Sequence, residues 1–460
     1  MSDATVRELR EAVRGQAFAP GDEGYADACR VWNGMHDERQ PALIVSCSGK
    51  SDVVAAIRFA RDEGLSIAIR GGGHNVAGNA TCDGGLVIDL SGMKRIEVDA
   101  EQRLARVEGG ALWGEVDAAT QPFGLATTGG LVSSTGVAGF TLGGGIGWLM
   151  RKHGLACDNL IGAEVVTADG QTVIADEDQN SELLWGLRGG GGNFGVVTGF
   201  TFRLHPLGPM VLGGMVAHPL ERAGEVLRFW REWAAGASDD VCTLAAIVYA
   251  PPEPFVPEEV QGTPIIAIAA FHTDADGRGA DALRELREYG PPAIDVIGPM
   301  PYTALQQMFD GGAPRGSRNY WRSAYLADLN DGAIDAILAN AAGLPVPLGQ
   351  IHIHQMGGAA GRVPAGATAF AHRDAAFVLN LIGMWLEPGG DEQNIAWVRE
   401  ISADVEPHTT GAPYVNFLGD EGADRVRAAY GDDAYTRLQT LKRQFDPANT
   451  FRLNQNVVPA

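Results

Sequence analysis

At 460 residues, with 45% hydrophobic and 20% charged residues, the chain is about three times the length that one core usually takes, so two or three cores are expected and nothing points to disorder. A net charge of −22, from 35 Lys plus Arg against 57 Asp plus Glu, repels a phosphate backbone and argues against nucleic acid as a partner. No window reaches the roughly 18 apolar residues of a membrane span, and the first residues lack a basic-then-apolar leader, so no membrane partner is expected and the location reads as cytoplasmic.

The 62 glycines are the unusual figure. They gather in residues 71–85, 124–147 and 186–195, which suggests backbone laid against a ligand. The cysteines (Cys29, Cys47, Cys82, Cys157 and Cys242) are odd in number and contain no Cys-x-x-Cys, so neither a disulfide framework nor a metal site is expected.

Residues 1–36 read as a helical lead-in followed by an irregular segment. Residues 42–47 form a short buried strand, and Ser51 is placed as the cap of a helix with Val53, Val54, Ile57 and Ala60 on one face, ended by Gly64. The next strand, 65–69, runs straight into Arg70-Gly71-Gly72-Gly73-His74-Asn75-Val76-Ala77-Gly78-Asn79. Glycines there let the backbone approach a ligand and turn amide N–H groups toward one anion, such as a pyrophosphate. Strands at 86–89, 95–98 and 104–108 follow, then a helix over 112–121 with Leu112, Val116 and Ala119 inward.

Residues 129–148, from Gly129-Gly130-Leu131-Val132 to Gly143-Gly144-Gly145-Ile146-Gly147-Trp148, are too rich in glycine for a stable helix or strand and too apolar for a solvent loop. They are placed against a ligand. At Arg188-Gly189-Gly190-Gly191-Gly192-Asn193-Phe194-Gly195 the spacing Gly-x-Gly-x-x-Gly occurs, but it follows a helical stretch and precedes a strand at 196–204. A dinucleotide turn of the Rossmann type needs strand then helix, so an NAD site is rejected. From His205-Pro206 the glycine loops stop. Strands at 211–218, 241–249, 265–271, 350–356 and 377–385 alternate with helices at 220–234, 280–289, 333–341 and 393–405, an α+β region with a mostly antiparallel sheet. Tyr320 and Trp321 are assigned to the core.

The three glycine stretches, with Tyr414-Val415-Asn416-Phe417 and the C-terminal Phe451-Arg452-Leu453-Asn454-Gln455-Asn456, resemble the para-cresol-methylhydroxylase-type FAD-binding oxidases of the vanillyl-alcohol-oxidase superfamily, in their berberine-bridge-enzyme-like branch. The resemblance implies a two-domain α+β fold: a lead-in at 1–36, an FAD-binding domain at 37–205, a substrate domain at 206–410 whose antiparallel sheet is covered by helices, and a segment at 411–460 that returns to the FAD domain. It implies that FAD is held by Arg70, Gly71, Gly72, Gly73, His74, Asn75, Gly78 and Asn79, by Gly130, Ser134, Thr135, Gly136, Gly139, Thr141, Gly143, Gly144 and Gly145, and by Asn456. His74 is the residue that relatives link covalently to the flavin 8α-methyl. Val132 stands where doubly linked members have a cysteine, so no second link is expected and the pattern resembles the single-histidine group of the 6-hydroxy-D-nicotine-oxidase type. Cys157 reads as a buried thiol.

The activity implied is removal of a hydride from a carbinol or amine carbon of a small organic substrate, with O2 as acceptor and H2O2 as product. A dehydrogenase, an oxygenating enzyme and a flavin-loaded metabolite-binding or resistance protein remain the alternatives. Tyr414 matches the family's base, Asn416 positions it or the flavin, and a phenol needs a nearby cation or dipole to serve near neutral pH; an amphipathic tyrosine lining the pocket is equally open. His352 and His354 share one face of a strand. If that face roofs the pocket, His354 steers substrate or assists Tyr414; if it meets solvent, both are edge residues. Thr135 occupies the position that gates dioxygen in plant relatives, and its valine-like size leaves the path open. The partners implied are the small-molecule substrate and O2, and the sequence sets no oligomeric state.

Overall fold

The computed structural model describes residues 2–345 and 347–460. A first sheet is four-stranded, β1 (Gln16–Phe18), β2 (Leu43–Ser46), β3 (Ile67–Arg70) and β4 (Leu86–Asp89), in the order β1-β2-β4-β3. β2 and β3 both pair parallel with β4. Parallel strands are covered on both faces, which is why residues 43–45 and 86–88 are continuous apolar runs. Helices α1 (Asp3–Ala12) and α2 (Lys50–Asp62) pack Leu9, Val53 and Ile57 against them. The lead-in is therefore more ordered than its sequence suggests, since β1 joins the sheet. Helix α2 begins at Lys50 with Gly49 at its cap, so Ser51 lies inside the helix. The Asp52 carboxylate takes the N–H groups of Arg14 (3.0 Å), Gly15 (2.9 Å) and Ser48 (2.9 Å), anchoring the lead-in.

A second, five-stranded antiparallel sheet contains β5 (Ile96–Asp99), β6 (Leu104–Glu108), β7 (Leu160–Val166), β8 (Thr172–Ala175) and β9 (Val196–Arg203), ordered β5-β6-β9-β7-β8. Helix α3 (Trp113–Thr120) turns Trp113, Val116, Asp117 and Thr120 inward instead of Leu112 and Ala119, because Trp113 stacks edge-on with Phe140 and Asp117 finds an amide partner. The second glycine stretch contains one short helix, α4 (Val137–Leu142), where Val137, Ala138 and Leu142 are buried. Helix α5 (Ser181–Leu187) then precedes strand β9, the order that excluded a Rossmann turn.

The third sheet is eight-stranded and antiparallel. Its main strands are β10 (Met210–Pro219), β11 (Val241–Tyr249), β12 (Pro264–His272), β13 (Arg318–Leu326), β14 (Gln350–Gln355) and β15 (Phe377–Trp385), ordered β10-β12-β11-β14-β15-β13. Ile294–Asp295 and Gly298–Pro301 pair onto β10. Strand β13 has no counterpart in the sequence reading; its polar residues hid it. Helices α6 (Ala223–Gly236), α7 (Gly277–Glu288), α8 (Asp331–Ala341) and α9 (Asp391–Val405) cover one face, where Ala245, Ile247, Ile351, Ile353, Leu379 and Leu381 meet Trp230, Ile334 and Val398. Alternation leaves residues 244, 246, 352, 354, 380 and 382 for the opposite face.

The C-terminal helices α10 (Ala423–Tyr430) and α11 (Asp432–Phe445) return to the second sheet. Lys442, fully buried, pins them by donating to the carbonyls of Asn193 (2.7 Å) and Phe451 (2.9 Å) and to Asp446 (2.7 Å). The result is a two-domain α+β fold with mostly antiparallel sheets. Among the described residues no helix is long and apolar enough to cross a membrane.

Candidate active site

Two glycine stretches meet backbone to backbone. A Cβ on Gly72 would lie 2.4 Å from the Gly136 nitrogen, and one on Gly136 would lie 2.2 Å from the Gly72 nitrogen, so neither position admits a side chain. The seam they form is the floor of a cavity of about 1110 Å3, lined also by Gly71, Gly73, His74, Asn75, Asn79, Gly130, Thr135, Gly139 and Gly143. Gly139 and Gly192 line it too, yet a Cβ on either would meet nothing within 4 Å. Bare backbone facing open space is a cradle for a ligand that lies closer than a side chain would permit. Among the described residues the cavity wall carries no Lys, Arg or Asp. An anion there would find no Lys or Arg and would depend on neutral donors, the glycine amides among them.

Several expected contact residues stand behind this wall. Arg70 turns its guanidinium toward the carbonyls of Ala28 (2.6 Å) and Ala80 (3.2 Å) and toward Asp89 (3.7 Å), tying the loop down. Gly78 lies under His36, whose ring a Cβ would meet at 2.4 Å. Thr141 is fully buried, and neither its hydroxyl nor the Asn456 Oδ1 has a hydrogen-bond partner. Gly144 packs on Phe370, and Gly145 donates its N–H to the Tyr414 hydroxyl (2.8 Å). Ser134 reaches the site through His74, its Oγ being 2.9 Å from Nε2. None of these seven residues lines the cavity.

His74 stacks on Trp32, with ring centroids 5.0 Å apart and planes inclined by 16°. It lines the cavity; burial, and secondarily the charge of Arg315, lowers its imidazole to about 4, so it is neutral at physiological pH. An aromatic arc continues from Trp32 to Trp321 (5.7 Å), Phe417 (5.6 Å) and His354 (5.7 Å), all lining the cavity. Trp321, expected in the core, thus faces the ligand space, while Tyr320 on the other face of β13 meets Arg399.

The Tyr414 hydroxyl accepts from the Gly145 N–H (2.8 Å) and the Asn416 amide (2.9 Å), and Asn416 also donates to the Phe140 carbonyl (2.9 Å). Burial raises the phenol above its ordinary value, and those two donors only partly offset it. With both lone pairs engaged, its own O–H is left as a donor. Because Ile351 and Ile353 claim the helix side of β14, His352 and His354 face the cavity. Burial lowers them to about 4 and about 3, with His352 adding to the shift of His354. His354 Nε2 and Asn380 Oδ1 are buried without a hydrogen-bond partner. Trp32 and Asn380 went unread in the sequence, and Phe417 entered only as part of the stretch around Tyr414; the one usable signal was a lone asparagine within the apolar strand β15. Cys157 is fully buried away from the cavity, and burial, with Asp158 beside it, raises its thiol well above the ordinary value.

Comparison with known proteins places this geometry. A model of FAD-binding domains matches residues 41–176, and one of berberine and berberine-like proteins matches residues 413–458. An FAD-linked oxidoreductase of Dictyostelium discoideum is 33% identical over 99% of this chain and 97% of its own. The chain belongs to the berberine-bridge-enzyme-like FAD-linked oxidoreductases. Within that family, (R)-6-hydroxynicotine oxidase of Paenarthrobacter nicotinovorans is 31% identical over 97% of each chain. The crystal structure of 6-hydroxy-D-nicotine oxidase from Arthrobacter nicotinovorans matches with a TM-score of 0.87 at 29% identity, covering 97% of this chain and 98% of that one. The family's cofactor is FAD, and the open cradle at Gly139 and Gly192 fits it.

Proposed function

We propose that the protein is an FAD-linked oxidase that takes a hydride from a carbinol or amine carbon of a small organic molecule and passes the electrons to O2, giving H2O2. Residues 37–205 and 411–460 carry the cofactor in this reading, and 206–410 carry the substrate. Bound on the glycine seam, the flavin would supply hydride acceptance and reoxidation. His74 would hold it: when Nε2 carries the proton and donates to Ser134, Nδ1 keeps a free lone pair with which to bond the flavin, and the neutral ring favours that state.

Tyr414 is the proton acceptor for the substrate O–H or N–H. The observation that carries the reading is the pair of donors on its hydroxyl, which favour the phenolate against the burial that raises the phenol and hold the ring in the same cavity as His74. Asn416 holds the phenol in place. Thr135, on the cavity wall, leaves room for dioxygen. Photoreduced protein mixed with oxygenated buffer in a stopped-flow instrument tests the acceptor: reoxidation well above the rate of free reduced flavin, with peroxide formed, is expected, and a rate no higher makes it a dehydrogenase. Yellow colour retained in the acid-precipitated protein tests the tether, and its loss refutes it.

A further inference from the structure

Beyond the flavin wall the cavity continues as a trough across the third sheet. Strand pairing sets Asn380 beside His352, His352 beside Ala246, and Ala246 beside Ala267, and all four line the cavity. The alanines make a low floor, bounded by Val248 and Ile265 on one side and by Leu244 beside Ala269 on the other. At its inner end stand the unpaired atoms His354 Nε2 and Asn380 Oδ1, on side chains only 5% and 1% exposed. At its outer end Phe255, 46% exposed, opens to solvent beside Glu253, the one acidic residue on the wall among the described residues.

Three physical constraints apply to an occupant. A buried charge needs a partner, and the inner wall offers none. Buried polar atoms without partners call for a hydrogen-bonding group. Apolar surface laid on the alanines is stabilising in proportion to its area. We infer that the substrate, if the oxidase reading holds, is an uncharged molecule with one hydroxyl or neutral amine end held by His354 and Asn380 near Tyr414, and a long apolar arm lying on Ala246 and Ala267 toward Phe255. The arm lies against Ala246 and Ala267, so these two residues set the length and shape accepted.

The test uses the flavin-loaded protein and a series of benzyl alcohol, 4-butylbenzyl alcohol and 4-octylbenzyl alcohol, with 4-(7-carboxyheptyl)benzyl alcohol as the charged counterpart. Affinity is read from perturbation of the flavin spectrum, which needs no turnover. The dissociation constant should fall roughly two- to fourfold for each methylene added, and the carboxylate should bind at least tenfold more weakly than the octyl compound. Ala267→Leu should cut the octyl-to-benzyl affinity ratio at least tenfold, and Ala246→Val serves where that variant does not load flavin. Affinity independent of length, no binding by any member, a carboxylate that binds as well as the octyl compound, or a ratio unchanged in the variant would each overturn the trough. Peroxide assayed on the same compounds separates the two readings: binding without peroxide sinks the oxidase and keeps the trough, whereas peroxide without length dependence does the reverse.

Discussion

The floor and the roof of the cavity are built in opposite ways. The floor is backbone: Gly72 and Gly136 touch so closely that a single methyl would not fit, and Gly139 presents bare main chain to the ligand. The roof is side chains on alternate positions of a sheet, His352, His354, Asn380, Ala246 and Trp321 among them. Backbone can take hold of a cofactor whatever the substrate, because every residue carries the same amide. Side chains can change one at a time without disturbing the strand that carries them. On the proposed function, cofactor binding and substrate choice fall to different materials.

Breaking the floor should have the largest effect. Gly72→Ala forces a methyl into backbone that has no rotamer to yield, so it should cost more than the ~1–3 kcal/mol of ordinary overpacking and leave little flavin-loaded protein; Gly139→Ala, with open space around the new methyl, should keep its urea midpoint while flavin content falls. Equal loss of stability in both variants would erase the distinction between seam and cradle. The next effect lies between floor and roof. Tyr414→Phe should slow anaerobic flavin reduction by roughly 10²- to 10⁴-fold with the flavin spectrum unchanged, and an unaltered rate would make Tyr414 a wall only.

A smaller effect, dependent on pH, belongs to the joint between the two. Gln306 donates to Asp117 (3.0 Å) beneath the floor, and burial, only partly offset by that hydrogen bond, raises the Asp117 carboxyl from 3.8 to about 7. Between those values the folded protein keeps a proton that the unfolded chain has released. Stability therefore falls as pH rises through that window, by on the order of 1.4 kcal/mol per unit, and levels off above it. Asp117→Asn should remove the slope, so its advantage in denaturant melts should grow from pH 4 to pH 7; an advantage independent of pH would show that Asp117 is ionised throughout. The smallest effect concerns Asp310, which accepts from the Ser133 N–H (2.8 Å) and hydroxyl (2.6 Å) and so joins the roof segment to the floor. Asp310→Ala should cost about 1–2 kcal/mol in the same melts, and no loss would mean that water replaces both contacts.

The floor was largely legible in the sequence because glycine is the one residue whose identity states a backbone requirement. Gly71–Gly73, Gly136 and Gly143 were read as ligand-facing, and they line the cavity. The roof was only half legible. A period of two put His352 and His354 on one face, but the strand itself did not say which; the neighbours Ile351 and Ile353, taken by the helices, decide it. Strand β13 was missed because its polar side chains interrupt the apolar pattern: Arg318 is answered far away by Asp391, and Asn319 by Ser317 and Trp321 beside it. Asp117 was missed because its amide partner lies on a segment nearly two hundred residues further on. Trp321 was misplaced because a cavity with an apolar lining selects the same residues as a core.

The lead-in carries a contact whose meaning lies in time. Asn33 donates to the carbonyls of Val76 (2.8 Å) and Asn319 (2.9 Å) and accepts from the Asn319 N–H (2.9 Å), across a separation of 286 residues for the latter. During synthesis Asn33 leaves the ribosome long before residue 319 exists, and contacts so distant in sequence close late. The residues around Trp32 must then wait, with the cofactor wall unfinished, until strand β13 is made. Flavin capture is then expected to follow the making of strand β13, and a nascent protein arrested before residue 319 should emerge colourless.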